Sequence, residues 1–213
     1  SALVAGLAER WPHDGFGVLL ETGYRMLDPS IVGAQLAADS AVLFRQHPFA
    51  VTGPAPRVLA GLLEEGPDGE PPELVRCVHE AGDVTDWLRR YLDVSLRPLL
   101  TLFAQEGLSF EAHVQNSLLC TDGGWPVHLW VRDMEGASAS RERLAHNGTL
   151  DALPTGSPVL YDDAEAAFDM KIRPLRQPVF EIIDLTWRIG EIKNDRPNLH
   201  VPDIQEHIYL RGL

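Results

Sequence analysis

Lysine is almost absent from this chain: of 213 residues only Lys171 and Lys193 are lysine, and the first 169 positions have none. With 18 Lys and Arg against 31 Asp and Glu, the formal net charge is -13 and the isoelectric point lies near 4.9. Nucleic-acid recognition needs clustered cations, so a nucleic-acid partner is not expected. The acidic surface is most simply a solubility feature. Cysteine is nearly as scarce. Cys77 and Cys120 stand far apart with no CxxC spacing, which excludes a zinc framework or a disulfide scaffold and predicts free core thiols in a reducing cytosol. Long apolar runs are missing too. No window approaches the roughly 18 apolar residues of a membrane span, and the N-terminus lacks a basic region followed by an apolar run. The expectation is a cytoplasmic protein with no membrane partner. His13, His47, His79, His128, His146, His200 and His207 show no metal-ligand spacing with Cys or carboxylates, so each reads as a surface or core histidine.

What the chain does have is length enough for a core and an ordinary apolar fraction of 45%. "FGVLLE" (16–21) is rich in strand formers after Pro12 and Gly15 and reads as a short strand. "SIVGAQLAADSAVLFRQ" (30–46) has a serine cap candidate and helical spacing up to His47-Pro48, and "PRVLAGLLEE" (56–65) begins with Pro at a first helical position. Helical spacing dominates from Glu73 to Gln105, with a break at Gly82 and a kink at Pro98 expected. Residues 135–158 read as a long loop, with "ASASRERL" flexible or starting a helix, and a further helix is expected from Asp162 or Asp163. The first 169 residues contain one isoleucine, Ile31, whereas the rest contain seven. This shift divides the chain into a domain over 1–167 and a compositionally distinct tail over 168–213.

The chemistry lies in "SFEAHVQNSLLCTDGGWPVHLWVRDMEG" (109–136). Asp122-Gly123-Gly124 between two strand-like runs signals a hairpin, because glycine at positive φ matches strand twist. Uninterrupted alternation would place Phe110, Ala112, Val114, Asn116, Leu118 and Cys120 on one face with Val127, Leu129, Val131 and Asp133. Glu111, His113, Gln115 and Ser117 would share the other face with His128, Trp130 and Arg132. Glu111, His113 and Gln115 within reach of Arg132 make a wall able to hold an anionic substrate. Asn116 near Asp133 offers oxygen ligands suited to magnesium, a hard ion that keeps waters and bridges to phosphate. Glu135, two residues beyond Asp133, can join either wall. The plainer account leaves His113 and Gln115 solvated, Asn116 bonded to backbone, and Arg132 with Asp133 as a surface ion pair of little energetic consequence.

Glu111-Ala112-His113-Val114-Gln115-Asn116, a hairpin, and then Val131-Arg132-Asp133-Met134-Glu135-Gly136 resemble the EAHxQN and RDxxG signature of the NRPS-independent siderophore synthetases, the aerobactin-synthetase-like family. "FGVLLE", "VLFRQHP", "APRVLAGLLEE" and "SPVLYDDAEAA" are similar to that family's order of elements, so the match covers about residues 15–167. The resemblance implies an ATP- and Mg2+-dependent ligase that adenylates a citrate-like carboxylate and passes the acyl group to an amine or hydroxylamine, with a homo-oligomer left open. It implies that His113 contacts the carboxylate or acyl adenylate and that Arg132 orients a carboxylate. Gln115 and Asn116 would meet nucleotide or metal, Asp133 and Glu135 would complete the metal and ATP wall, and Glu111 would support His113 or the metal. The family's phosphate-gripping Lys, Arg and Ser-x-Arg-Thr segments have no counterpart, so the chain resembles the palm-like C-terminal portion and is expected to show little or no ligase activity alone. The expected fold is α+β, a small antiparallel sheet with a central hairpin flanked by helices. A kinase-like phosphotransferase fragment is disfavoured by the lack of a glycine-rich loop with a strand lysine. A non-catalytic carboxylate-binding or interaction domain is the other alternative.

Overall fold

The computed structural model describes residues 2–8, 14–48, 53–134 and 136–163. Its centre is a four-stranded sheet in the order β1 (Phe16–Val18), β7 (Trp125–Val131), β6 (Ser117–Asp122) and β4 (Arg57–Val58). The β6–β7 hairpin and the β4–β6 pair are antiparallel, whereas β1 runs parallel to β7. The class is α+β as expected, and the central sheet is mixed rather than wholly antiparallel. One face of it carries Phe16, Val18, Leu119, Leu129 and Val131 into the main core, beneath Leu74 and Val78 of α5 (Glu73–Ala81) and Trp87 and Tyr91 of α6 (Val84–Val94). Leu19, Leu118, Cys120 and Trp130 form a second, smaller cluster.

The hairpin turns at Gly123 and Gly124, with φ of 51° and 77°, as the Asp-Gly-Gly signal predicts. Helices hold this turn in place. Trp87 Nε1 donates to Gly124 O at 2.9 Å, Trp87 stacks on Tyr91 with ring centroids 5.7 Å apart, and the Arg90 guanidinium lies 4.2 Å over the Trp125 ring. From the strand side, Arg57 pairs with Glu73 and donates to Thr121 Oγ1 at 2.8 Å, tying β4, α5 and β6 together. Both cysteines are buried, and no disulfide joins them.

One irregularity changes which residues share a face. Asp122 opposes Trp125 and Thr121 opposes Pro126, but Cys120 opposes His128, so Val127 is an extra residue in β7. Pro126 cannot donate to a ladder and sits beside this bulge, a usual place for strand proline. A one-residue slip reverses every facing relation beyond it. Leu118 and Cys120 therefore lie with Trp130 and His128, and Leu119 with Leu129, which corrects the facing sets drawn from simple alternation.

Other expectations also shift. The run 30–46 is two short helices, α2 (Pro29–Val32) and α3 (Ala34–Asp39), followed by a strand, β3 (Val42–Arg45), which pairs antiparallel with β2 (Glu21–Arg25). The cap is Asp28, whose carboxylate accepts from Ser30 N at 2.8 Å, not Ser30. Pro56 precedes β4 instead of opening α4 (Leu59–Leu63). The helical run 73–105 breaks at Gly82 as expected, and again at Ser95 rather than at Pro98. Pro98 lies in the first turn of α7 (Leu96–Thr101), where its missing N–H costs nothing. A π-helical turn over Leu102–Glu106 follows. Within 135–158, read as a long loop, β8 (Ser138–Ser140) forms, and α8 (Arg141–His146) starts within "ASASRERL" as one reading of that stretch had it, with Ser140 Oγ accepting from Arg143 N. β8 lies between β5 (Leu108–Ser109) and β9 (Leu160–Tyr161). The tail assigned to 168–213 lies outside the described residues, as does the helix expected from Asp162 or Asp163 beyond those two residues themselves.

His128 Nε2 is buried and has no hydrogen-bond partner among the described residues. Burial pushes the imidazole below its usual 6.5, opposed by a backbone hydrogen bond at Asp14. Folding thus favours the neutral ring, while the unfolded chain takes up a proton near pH 6.5, so this stability is present above that pH and lost as pH falls through and below it. In thermal melts between pH 5 and 8, His128→Leu is expected to flatten that part of the wild-type decline.

Candidate active site

The two polar motifs meet beyond the far end of the hairpin from the Gly-Gly turn. The expected strand over 109–122 is not continuous. β5 ends at Ser109, residues 110–113 belong to no strand or helix, and Val114–Asn116 form a turn closed by Asn116 N donating to His113 O at 2.9 Å. Alternation survives only over 110–113. Phe110 and Ala112 are buried in the main core, while Glu111 and His113 are half-buried on the opposite side and Gln115, in the turn, is exposed. The turn brings Asn116 Nδ2 to 3.3 Å from His113 Nε2, so these residues, assigned to different faces by alternation, are neighbours. Ser117 Oγ donates to Ala112 O at 3.0 Å, fixing the two arms of the turn.

The strand β7 passes directly into the second motif. Arg132 N donates to Asn116 O, and Arg132 Nη2 donates to Gln115 O, each at 2.9 Å. Arg132 thus meets the backbone of the turn, where alternation placed it beside the side chains of a strand face. Asp133 follows with φ of 71°, the one described non-glycine residue at positive φ. Aspartate tolerates this left-handed conformation better than most residues, but strain there is characteristic of functional loops. A Cβ on Gly136 would lie 2.2 Å from Glu111 Cδ, so Glu111 is packed against the loop backbone at the one position with no side chain. Glu135 lies outside the described residues.

Two participants were not anticipated. Arg45 Nη2 lies 3.6 Å from Glu21 Oε1 and 3.8 Å from Asp133 Oδ2, and Met134 N donates to Glu21 Oε1 at 3.5 Å. Glu21 and Arg45 are directly paired across β2 and β3. Both lie in stretches, "FGVLLE" and "VLFRQHP", that resemble the family, but a helical reading of 30–46 hides their pairing.

The donor set is made of hard oxygens and one imidazole. Among the described residues no three His, Cys, Asp or Glu side chains cluster closely enough to hold a metal. Glu111, Asn116 and Asp133 carry side-chain oxygens, the donor type that Mg2+ takes. No described helix is long and apolar enough to cross a membrane.

The chain resembles known proteins in sequence and in fold. Residues 85–175 match the family model described as ferric iron reductase FhuF-like transporter. The chain is 34% identical over 169 residues to the L-2,3-diaminopropanoate–citrate ligase of Staphylococcus aureus, covering 75% of this chain and 29% of that protein. It is 30% identical over 135 residues to the spermidine-citrate ligase of Bacillus anthracis, covering 57% and 22%. The chain thus spans less than a third of the length of these relatives. The fold matches ATP-bound aerobactin synthetase IucA from Klebsiella pneumoniae with a TM-score of 0.69 at 24% identity, over 87% of this chain and 34% of that one. It also matches the petrobactin biosynthesis protein AsbB from Bacillus anthracis, with a TM-score of 0.64 at 18% identity, over 98% and 40%. The matched residues belong to the NRPS-independent siderophore synthetase family.

Proposed function

We propose that this chain supplies one wall of the active site of an ATP- and Mg2+-dependent siderophore synthetase, which adenylates a citrate-like carboxylate and condenses it with an amine or hydroxylamine. The observation that supports this most is the junction of the 111–116 turn with the 132–136 loop, through Arg132 to Gln115 and Glu111 to Gly136. These contacts join two segments that between them carry an imidazole, two carboxamides and two carboxylates.

In the reaction a carboxylate oxygen displaces pyrophosphate from the α-phosphorus of ATP, and an amine nitrogen then displaces AMP from the acyl carbon. Catalysis of such steps rests on positioning and on charge neutralisation. His113, held by Asn116, is placed to bind the substrate carboxylate and stabilise charge as it moves to phosphate oxygen. Arg132, its Nη2 fixed on Gln115 O, keeps a guanidinium beside the turn to orient a carboxylate. Gln115 and Asn116 face the nucleotide. Glu111, Asn116 and Asp133 would hold Mg2+, with Glu135 completing the ATP wall, and that ion would supply neutralisation of phosphate charge. Domain 1–167 acts as the palm-like portion, and ligase turnover needs segments that the full-length relatives carry.

Calorimetric titration of the chain with Mg·ATP and with citrate tests this reading. His113→Ala is expected to weaken citrate binding and Asp133→Ala to weaken Mg·ATP binding, each about tenfold. Unchanged affinities in both variants would remove the proposed roles. Binding of citrate alone, with no ATP or metal response, would favour a non-catalytic carboxylate-binding domain.

A further inference from the structure

We infer that Glu21 and Arg45, at the base of the β2–β3 hairpin, are positioning residues that set Asp133 for its role in the site. This rests on the reading of Asp133 as a metal-facing residue, and adds what holds it there.

The need for a positioning device follows from the backbone. Asp133 sits at φ 71°, a conformation that is costly for a non-glycine residue and persists only where surroundings over-determine it. The β1–β7 pairing ends with Leu19 N donating to Val131 O at 2.8 Å, so the segment 19–21 runs on beside 131–134. Glu21 follows and its carboxylate accepts the N–H of Met134, the peptide just after Asp133. Arg45 stands between the Glu21 and Asp133 carboxylates. Gln46 N donates to Leu20 O at 2.8 Å and closes the hairpin base on which both residues stand. The next peptide and one carboxylate oxygen of Asp133 are thus both tied to the same pair of strands.

Charge fits the same role. The Glu21 and Asp133 carboxylates share the Arg45 guanidinium. With Oδ2 turned to Arg45, the other oxygen of Asp133 has a defined direction. Outer partners that orient a metal-binding carboxylate commonly govern affinity by about 10- to 100-fold. A purely structural surface pair would do little, because ion pairs with side chains 22–39% exposed, as these are, add little to stability.

The test is a double-mutant cycle on Mn2+ affinity of the full chain, read by electron paramagnetic resonance of free Mn2+, with thermal melts alongside. Asp133→Asn is expected to weaken Mn2+ about tenfold or more, and Arg45→Ala about tenfold with a Tm near wild type. Adding Arg45→Ala to Asp133→Asn should cost nothing further, because Arg45 acts through Asp133. Arg45→Lys should recover part of the affinity. Glu21→Gln, which keeps an acceptor for Met134 N–H but not the ion pair, should fall between wild type and Arg45→Ala and guards against misfolding of the alanine variant. If Asp133→Asn weakens Mn2+ while Arg45→Ala and Glu21→Gln do not, or if the effects simply add, the positioning role is overturned and the metal-facing reading of Asp133 stands. If Asp133→Asn leaves Mn2+ binding unchanged, both readings fall.

Discussion

Gly124→Ala is expected to destabilise the fold by about 3–5 kcal/mol, lowering Tm by roughly 10 °C or more, whereas Gly123→Ala in the same turn costs only about 1 kcal/mol. Both glycines have positive φ, so both pay the left-handed penalty of a side chain. Their surroundings differ. A Cβ on Gly123 meets nothing within 4 Å, but one on Gly124 would lie 2.3 Å from Cys77 O and 2.8 Å from Ala81 N. Those are backbone atoms of α5 and cannot swing aside. Relief would require lifting α5 from the turn and breaking the Trp87 to Gly124 hydrogen bond. A native domain is stable by only about 5–15 kcal/mol, so the variant would lose a large share of its margin. Denaturant unfolding of the two variants side by side measures the difference, and equal losses would show that close packing of α5 on the turn is not the cause.

Gly136→Val is expected to act on the site instead of the fold. Its Cβ would lie 2.2–2.6 Å from the Glu111 Cδ, Oε2 and Cγ atoms, which belong to a side chain that can turn away. The cost in stability is therefore modest, with Tm falling by a few degrees, but Glu111 leaves the loop. If Glu111 helps to hold the metal or to support His113, affinity for Mg·ATP should drop by up to about 100-fold. Titration of the folded variant, with its melting curve as control, gives the answer. A variant that binds as wild type would show that Glu111 has no part in the site.

Much of this was legible in the residues, and the failures share a cause. The Asp-Gly-Gly turn, the helix break at Gly82 and the burial of both cysteines without a disulfide follow from local chemistry, and local chemistry is present in the sequence. The bulge at Val127 is not. Pro126 hints at it, but alternation continues smoothly through the written sequence, and only the pairing of Cys120 with His128 reveals the extra residue. β3 was hidden for a related reason. Leu36, Val42, Leu43 and Phe44 have apolar character that suits a helix face, yet all are about half-exposed or more, and Val42–Arg45 is a strand because β2 is its partner. β8 likewise takes its form from Leu108 and Ser109, some 30 residues earlier in the chain. Pairings between distant segments decide these elements.

The site shows the same division. Glu111, His113, Gln115, Asn116, Arg132 and Asp133 can be picked out by residue type, spacing and resemblance. Their arrangement could not be, because it depends on a turn over 114–116 that strand alternation does not foresee. Glu21 and Arg45 are further removed, since they reach Asp133 only after β2 and β3 have paired and β1 has docked beside β7.

The most direct test of one shared surface is paramagnetic broadening of backbone amide signals by Mn2+ in the presence of ATP. Broadening concentrated at His113, Gln115, Asn116, Arg132 and Asp133 is the predicted result, because Mn2+ would lie between the turn and the loop. Broadening of one segment without the other, or of the acidic groove around Glu64, Glu70 and Glu73, would contradict it.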